Sequence, residues 1–190
     1  MIDTYIEASE PRQISRFDNM PLLDLIVNTG IVDAIYRMPA GIKSSRDAIA
    51  ETIENNVRSK IVKENLSDPA FYDRMSKLLD EIITARRTKA IEYEEYLKRI
   101  ANVARMVAAG RAEDTPQEMD TPGRRALYNN LKHDQALALR IDRAVRNVRP
   151  DGWRGVQPRE MEIKRALYGV LQDHAEVERI FLIVQAQKEY

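Results

Sequence analysis

Residues 149–160, RPDGWRGVQPRE, concentrate the side chains best suited to recognition. Trp153 is the only tryptophan, glycines stand at 152 and 155, and Asp151 and Arg154 lie beside it. Tryptophan and arginine are enriched among the residues that anchor protein–protein contacts, so Trp153 and Arg154 are candidate partner-docking residues. The same residues also suit a structural turn. Two glycines let the backbone reverse, Asp151 can bond the amides that follow it, and Pro158 fits the first turn of a next helix. In that reading Trp153 folds back as an apolar plug whose indole N–H finds a carbonyl. Arg154 then pairs with an acid or caps a helix C-terminus. The composition of the stretch favours the turn, and the docking knob is the sharper alternative.

A second recognition chemistry is electrostatic. Arg140, Arg143, Arg146 and Arg149 recur at three-residue steps, and Arg154, Arg159, Lys164 and Arg165 follow. Such a stripe can track phosphates without reading bases, which makes the first four candidate DNA-contacting residues. The charge balance gives this little weight. The chain holds 30 basic and 30 acidic residues, split as 17 and 21 over residues 1–120 and as 13 and 9 over 121–190. A solvated helix face, or a face docked against the acidic first part, accounts for so mild an excess.

Catalysis has thin raw material. His133 and His174 each sit beside an aspartate at the start of a helical pattern, and their spacing is not that of metal ligands. The absence of cysteine excludes disulfides, thiolate metal sites and a cysteine nucleophile. No G-x-x-x-x-G-K-[ST], G-x-G-x-x-G or G-x-S-x-G segment occurs. Glu94–Glu95 and Asp80–Glu81 are neighbours on helices and project apart. No catalytic, cofactor-binding or metal residue is assigned, and none of these residues is expected to hold a cofactor.

The elements that carry these groups are helical. Leu22, Leu23, Leu25, Ile26, Val27, Ile31, Val32 and Ile35 repeat at three- and four-residue steps up to Met38–Pro39. Ile49, Ile53, Val57, Ile61 and Val62 form a second stripe, with Ser44 or Ser45 placed to cap it. Asp68 and Pro69 mark the start of a helix with Phe71, Tyr72, Met75, Leu78, Leu79, Ile82 and Ile83 on its apolar side. A further helix begins at Tyr93 and stops at Gly110. GRAEDTPQEMDTPG, residues 110–123, is polar and rich in turn formers, and reads as a linker or long loop. Helices resume at Thr121–Pro122 and near 134–149, 158–172 and 174–188, with Asn129–Asn130 ending the first of them. Tyr93, Tyr96, Tyr128 and Tyr168 fall among apolar neighbours and are expected to pack rather than to stack on bases.

The expected fold is therefore all-α: about eight helices in a bundle, either compact or as two lobes, 1–110 and 121–190, joined by a linker at 111–120. No apolar run is long enough for a transmembrane helix, and the MIDTYIEASE start lacks a signal-peptide core. No membrane partner is expected, and a cytoplasmic location fits the lack of cysteine.

Eight blocks carry a family resemblance: RFDNMPLLDLIVNTG, AIAETIENNVRSKI, FYDRMSKLLDEII, IEYEEYLKRI, RALYNNL, LALRIDRAV, DGWRGVQPREMEIKRALYGVL and IFLIVQAQKEY. In this order, from residue 16 to the last, they resemble the C-terminal helical domain of the restriction (motor) subunit of type I restriction–modification enzymes. The resemblance implies a parent subunit with a PD-(D/E)xK nuclease domain and two RecA-like motor domains, an ATP- and Mg-dependent site-specific deoxyribonuclease. The helical domain would join that motor to a methyltransferase core of methylation and specificity subunits, with DNA met indirectly. Neither phosphate loop nor nuclease carboxylates occur here, so no catalytic residue carries over. The chain is then expected to be a piece of a longer subunit or the product of a split gene. Two other classes stay open: a basic DNA-contacting module using the arginine-rich region 140–165, and a small-molecule enzyme assembled from distant residues.

Overall fold

The computed structural model describes residues 22–190, so the MIDTYIEASE start and residues 16–21 of the first block lie outside the described residues. Ten helices and no strand occupy them, and eight of the helices have eight residues or more. They are α1 (Leu22–Thr29), α2 (Ile31–Tyr36), α3 (Ala40–Lys43), α4 (Arg46–Glu64), α5 (Pro69–Arg87), α6 (Tyr93–Ala109), α7 (Pro122–Asn130), α8 (Gln135–Val148), α9 (Gln157–Leu171) and α10 (His174–Ala186). The protein is all-α over these residues. None of these helices is long and apolar enough to cross a membrane.

Local chemistry explains most boundaries. Asp68 accepts from the Phe71 amide at 3.2 Å and Pro69 fills the first helical position, so α5 starts where its sequence signals it. Ser45 caps α4 and Thr121 caps α7, each through its hydroxyl oxygen. The first apolar stripe does not form one helix. Gly30 takes φ 87° between α1 and α2, a backbone state that glycine adopts without steric penalty. Val62, read into the second stripe, is exposed because it lies off the side of α4 that buries Ile53, Val57 and Ile61.

The buried side chains sort into two clusters. The first draws only on residues 22–112, from α1, α2, α4, α5 and α6 and their flanks; the second draws only on residues 119–190, from α7 to α10 and their flanks. The break falls within the polar segment expected to be a linker. That segment is held rather than loose. Ala112, Thr115 and Met119 are buried. Arg111 donates to the Thr115 carbonyl at 3.0 Å, and Arg125 to those of Gly110 at 3.0 Å and Asp120 at 2.9 Å.

Candidate functional site

Trp153 lies in the turn between α8 and α9 and is 2 % exposed, its ring 5.8 Å from that of Phe181 on α10. Gly152 and Gly155 take φ 59° and 76°, which bends the chain back and delivers the ring into the second core. The indole N–H does not find the expected carbonyl: Nε1 is buried without a partner. Leaving one donor unbonded costs roughly 1–3 kcal/mol, which the burial of so large a ring offsets. Trp153 therefore presents no ring surface to a partner. Arg154 stacks over the same ring at 4.6 Å and donates Nε to the Gln185 carbonyl at 2.9 Å and Nη2 to that of Gln187. It closes carbonyls at the end of α10, and with Asp151, Gly152, Gly155 and Val156 it is exposed, so a partner can reach it.

The four arginines of α8 and its C-terminus do not share a surface. A three-residue step on a 3.6-residue helix slips about 60° each time, so the row winds round the helix. Arg140 and Arg143 are exposed and make no ion pair among the described residues. Arg146 turns inward, donating to Asp142 Oδ1 at 2.8 Å and Glu189 Oε1 at 3.2 Å and covering the Tyr190 ring at 5.2 Å. Arg149 donates to the Glu189 carbonyl at 2.9 Å. Among the described residues, Arg140, Arg143 and Arg149 are exposed and outside any ion pair, with Arg149 tied to a carbonyl through Nη1, whereas Arg146 is committed to acids.

Arg146 leads to a feature absent from the sequence reading. Asp142 is 2 % exposed and accepts from Arg146 Nε at 2.8 Å, Arg124 Nε at 2.9 Å and the Tyr190 hydroxyl at 2.8 Å. Burial alone would raise its pKa, but the bonds from Arg146, Tyr190 and Arg124 outweigh burial and hold the carboxyl below its ordinary value. The first core repeats the motif with Glu54, which accepts from Arg86 Nε at 2.9 Å and the Tyr96 hydroxyl at 3.0 Å. Burial pushes both phenols up, the facing carboxylates push the same way, and both stay donors. Each acid interrupts an apolar helical stripe: Glu54 falls between Ala50 and Val57, and Asp142 between Ala138 and Val145. An acid on such a stripe with arginines nearby is the signal that would have found both.

Between the two cores runs a third polar cluster. Asp68, buried at the start of α5, accepts from Asn129 Nδ2 at 2.7 Å and Asn130 Nδ2 at 2.8 Å, both on α7. Burial pushes its pKa up to about 6, and the bonds from Asn129, Phe71 and Asn130 with the charge of Arg125 pull it only part of the way back. Asn130 Oδ1 also accepts from the Ala70 amide at 3.3 Å, and Gln187 donates to the Ser67 carbonyl at 2.6 Å. Asn129 and Asn130 do end α7, as expected, but they also join the cores. Beside them opens a cavity of about 320 Å³ with Lys60, Glu64, Tyr72, Arg125, Lys188 and Glu189 in its lining. Burial raises the Tyr72 pKa to about 12, with Glu64 and Asp68 pushing the same way, so its hydroxyl stays protonated.

The histidines pack as ring partners, His133 4.9 Å from Tyr128 and His174 4.5 Å from Tyr168. Tyr96 is buried and Tyr128 half-buried, while Tyr168 is more exposed than its pattern suggested. No cluster of three or more His, Asp or Glu side chains with metal-site geometry occurs among the described residues. The site is thus a set of ionic and amide contacts between helices, with Arg140, Arg143, Arg149 and Arg154 exposed. No protein-family model, curated protein or solved structure matches the chain.

Proposed function

We propose that this chain is a non-catalytic helical module of a type I restriction motor subunit, coupling the ATP-dependent translocase and endonuclease to the methyltransferase core. The observation that supports the reading best is how the last two resemblance blocks of the chain combine. Trp153 of one packs on Phe181 of the other, and Arg154 of the first holds the Gln185 and Gln187 carbonyls of the second. These two blocks thus pack together in the second core and leave Arg154 at its surface. In this reading ATP and Mg serve the motor domains of the parent subunit, and the partners are those motor domains and the methylation and specificity subunits.

Co-elution of the chain with its methylation–specificity complex, at low and at moderate salt, tests the reading. Co-elution at both supports docking, since protein contacts of mixed polarity respond weakly to salt. Failure of a folded chain to co-elute at either salt overturns it. The second reading, direct DNA contact, draws on Arg140 and Arg143, which are exposed and pair with no acid among the described residues. It requires DNA binding that falls steeply with salt and weakens when both are replaced by alanine.

A further inference from the structure

We infer that the boundary between the two cores is a hinge closed by a polar latch, with Asp68, Asn129, Asn130 and Gln187 as the latch and residues 111–121 as the pivot. Neither apolar cluster crosses the boundary: the first ends at Ala112 and the second begins at Met119. α5 packs on α7 across it, and the hydrogen bonds that join the two sides there are made by polar groups. Asp68 takes Asn129 and Asn130 at 2.7 and 2.8 Å, the Ala70 amide bonds Asn130 at 3.3 Å, Gln187 bonds the Ser67 carbonyl at 2.6 Å, and Arg125 bonds the Gly110 carbonyl at 3.0 Å.

Bonds of this kind exchange for water at small net cost, whereas parting an apolar interface exposes surface that water disfavours. Polar boundaries between separately cored units are the ones across which relative motion is expected. The cavity lined by Lys60, Glu64, Tyr72, Arg125, Lys188 and Glu189 brings a polar opening up to the latch, so the replacement bonds have a source. Asp68 serves both states. It caps α5 through the Phe71 amide whether or not α7 is in place, so letting go of Asn129 and Asn130 leaves the first core capped. The pivot is braced internally, because Arg111 holds the Thr115 and Pro116 carbonyls within it.

The chain contains no cysteine, so a single engineered pair can be labelled cleanly. Exposed Ser59 on α4 and exposed Arg165 on α9 are suitable positions. Spin labels on Ser59→Cys and Arg165→Cys, read by pulsed dipolar spectroscopy, report the separation of the cores in the full chain. A hinge predicts that Asn129→Ala/Asn130→Ala shifts the distance distribution to longer values and broadens it. Helical circular dichroism and the buried-type emission of Trp153 are expected to persist in that variant. Should it fail to fold, Gln187→Ala removes a separate latch bond and is expected to give a smaller shift of the same sign. A narrow distribution unchanged by whichever of these variants folds would make the two cores one rigid body and overturn the hinge.

Discussion

Asp142 and Asp68 are both buried, yet the chain treats them in opposite ways. Asp142 sits inside the second core against two guanidinium groups and a phenol, and its carboxyl is held below the ordinary range. Asp68 sits between the cores against two asparagine amides and a backbone amide, and burial carries it up to about 6. Full charges compensate a buried carboxylate, while neutral donors only part-compensate it. Within a core the acid is locked to its partners; at the boundary it is held by groups that water can replace.

The largest expected effect is at the locked site. Asp142→Ala leaves Arg124, Arg146 and the Tyr190 hydroxyl without their shared acceptor, and is expected to cost about 3–5 kcal/mol of stability, read by urea unfolding. Trp153→Ala empties the centre of the same core. Its cost is expected near the lower end of about 3–5 kcal/mol, because the variant also removes the unbonded indole N–H; a thermal melt of the helical signal measures it. Gly123→Ala comes next. A Cβ at Gly123 would run into Glu189 Oε1 and lie 2.8 Å from the Tyr190 ring, and overpacking of this kind costs about 1–3 kcal/mol.

At the boundary the sign reverses. The folded-state pKa of Asp68 is raised, so its contribution to stability is fully present below the ordinary aspartate value, about 3.9, and is lost as pH rises through about 6. For Asp142 the folded pKa is depressed, so its contribution is present above that ordinary value and is lost as pH falls through the folded one. Asp68→Asn keeps a good helix cap. It is expected to raise stability at neutral pH relative to the parent chain and to remove the decline between about pH 4 and 6. Denaturation midpoints across that range would show it, and an unchanged decline would assign the slope to other groups. The smallest effect is expected at Arg140→Ala/Arg143→Ala, whose exposed side chains pair with no acid among the described residues. Its stability is expected within about 0.5 kcal/mol of the parent for each site, in contrast to Arg146→Ala, which uncovers Asp142.

Sequence periodicity and caps were enough to give the all-α class and most of the helix boundaries. Caps are legible because Asp68, Thr121 and Ser45 act on amides three residues away. The interruption at Gly30 was missed because the apolar stripe continues across it, and the pattern of side chains does not report a backbone angle. The polar sites were far less legible. Asp142 meets Tyr190 across 48 residues, Asp68 meets Asn130 across 62, and Gln187 meets Ser67 across 120. A helical period says which side of a helix is buried but not which residue faces it. Equal spacing marks the arginine row but not what each side chain meets: the helical twist leaves Arg140 and Arg143 in solvent and brings Arg146 to the Asp142 cluster.

That two separately built cores meet across a polar boundary is tested most directly by urea unfolding of Asp142→Ala followed with two probes. Trp153 lies in the second core and is the only tryptophan, so its emission reports that core, whereas far-ultraviolet circular dichroism reports the helices of both. Separate cores predict that the tryptophan transition moves to much lower urea while a second helical transition remains near its original midpoint. A single coincident transition, displaced equally in both probes, would show that the described helices fold as one cooperative unit and would contradict the division.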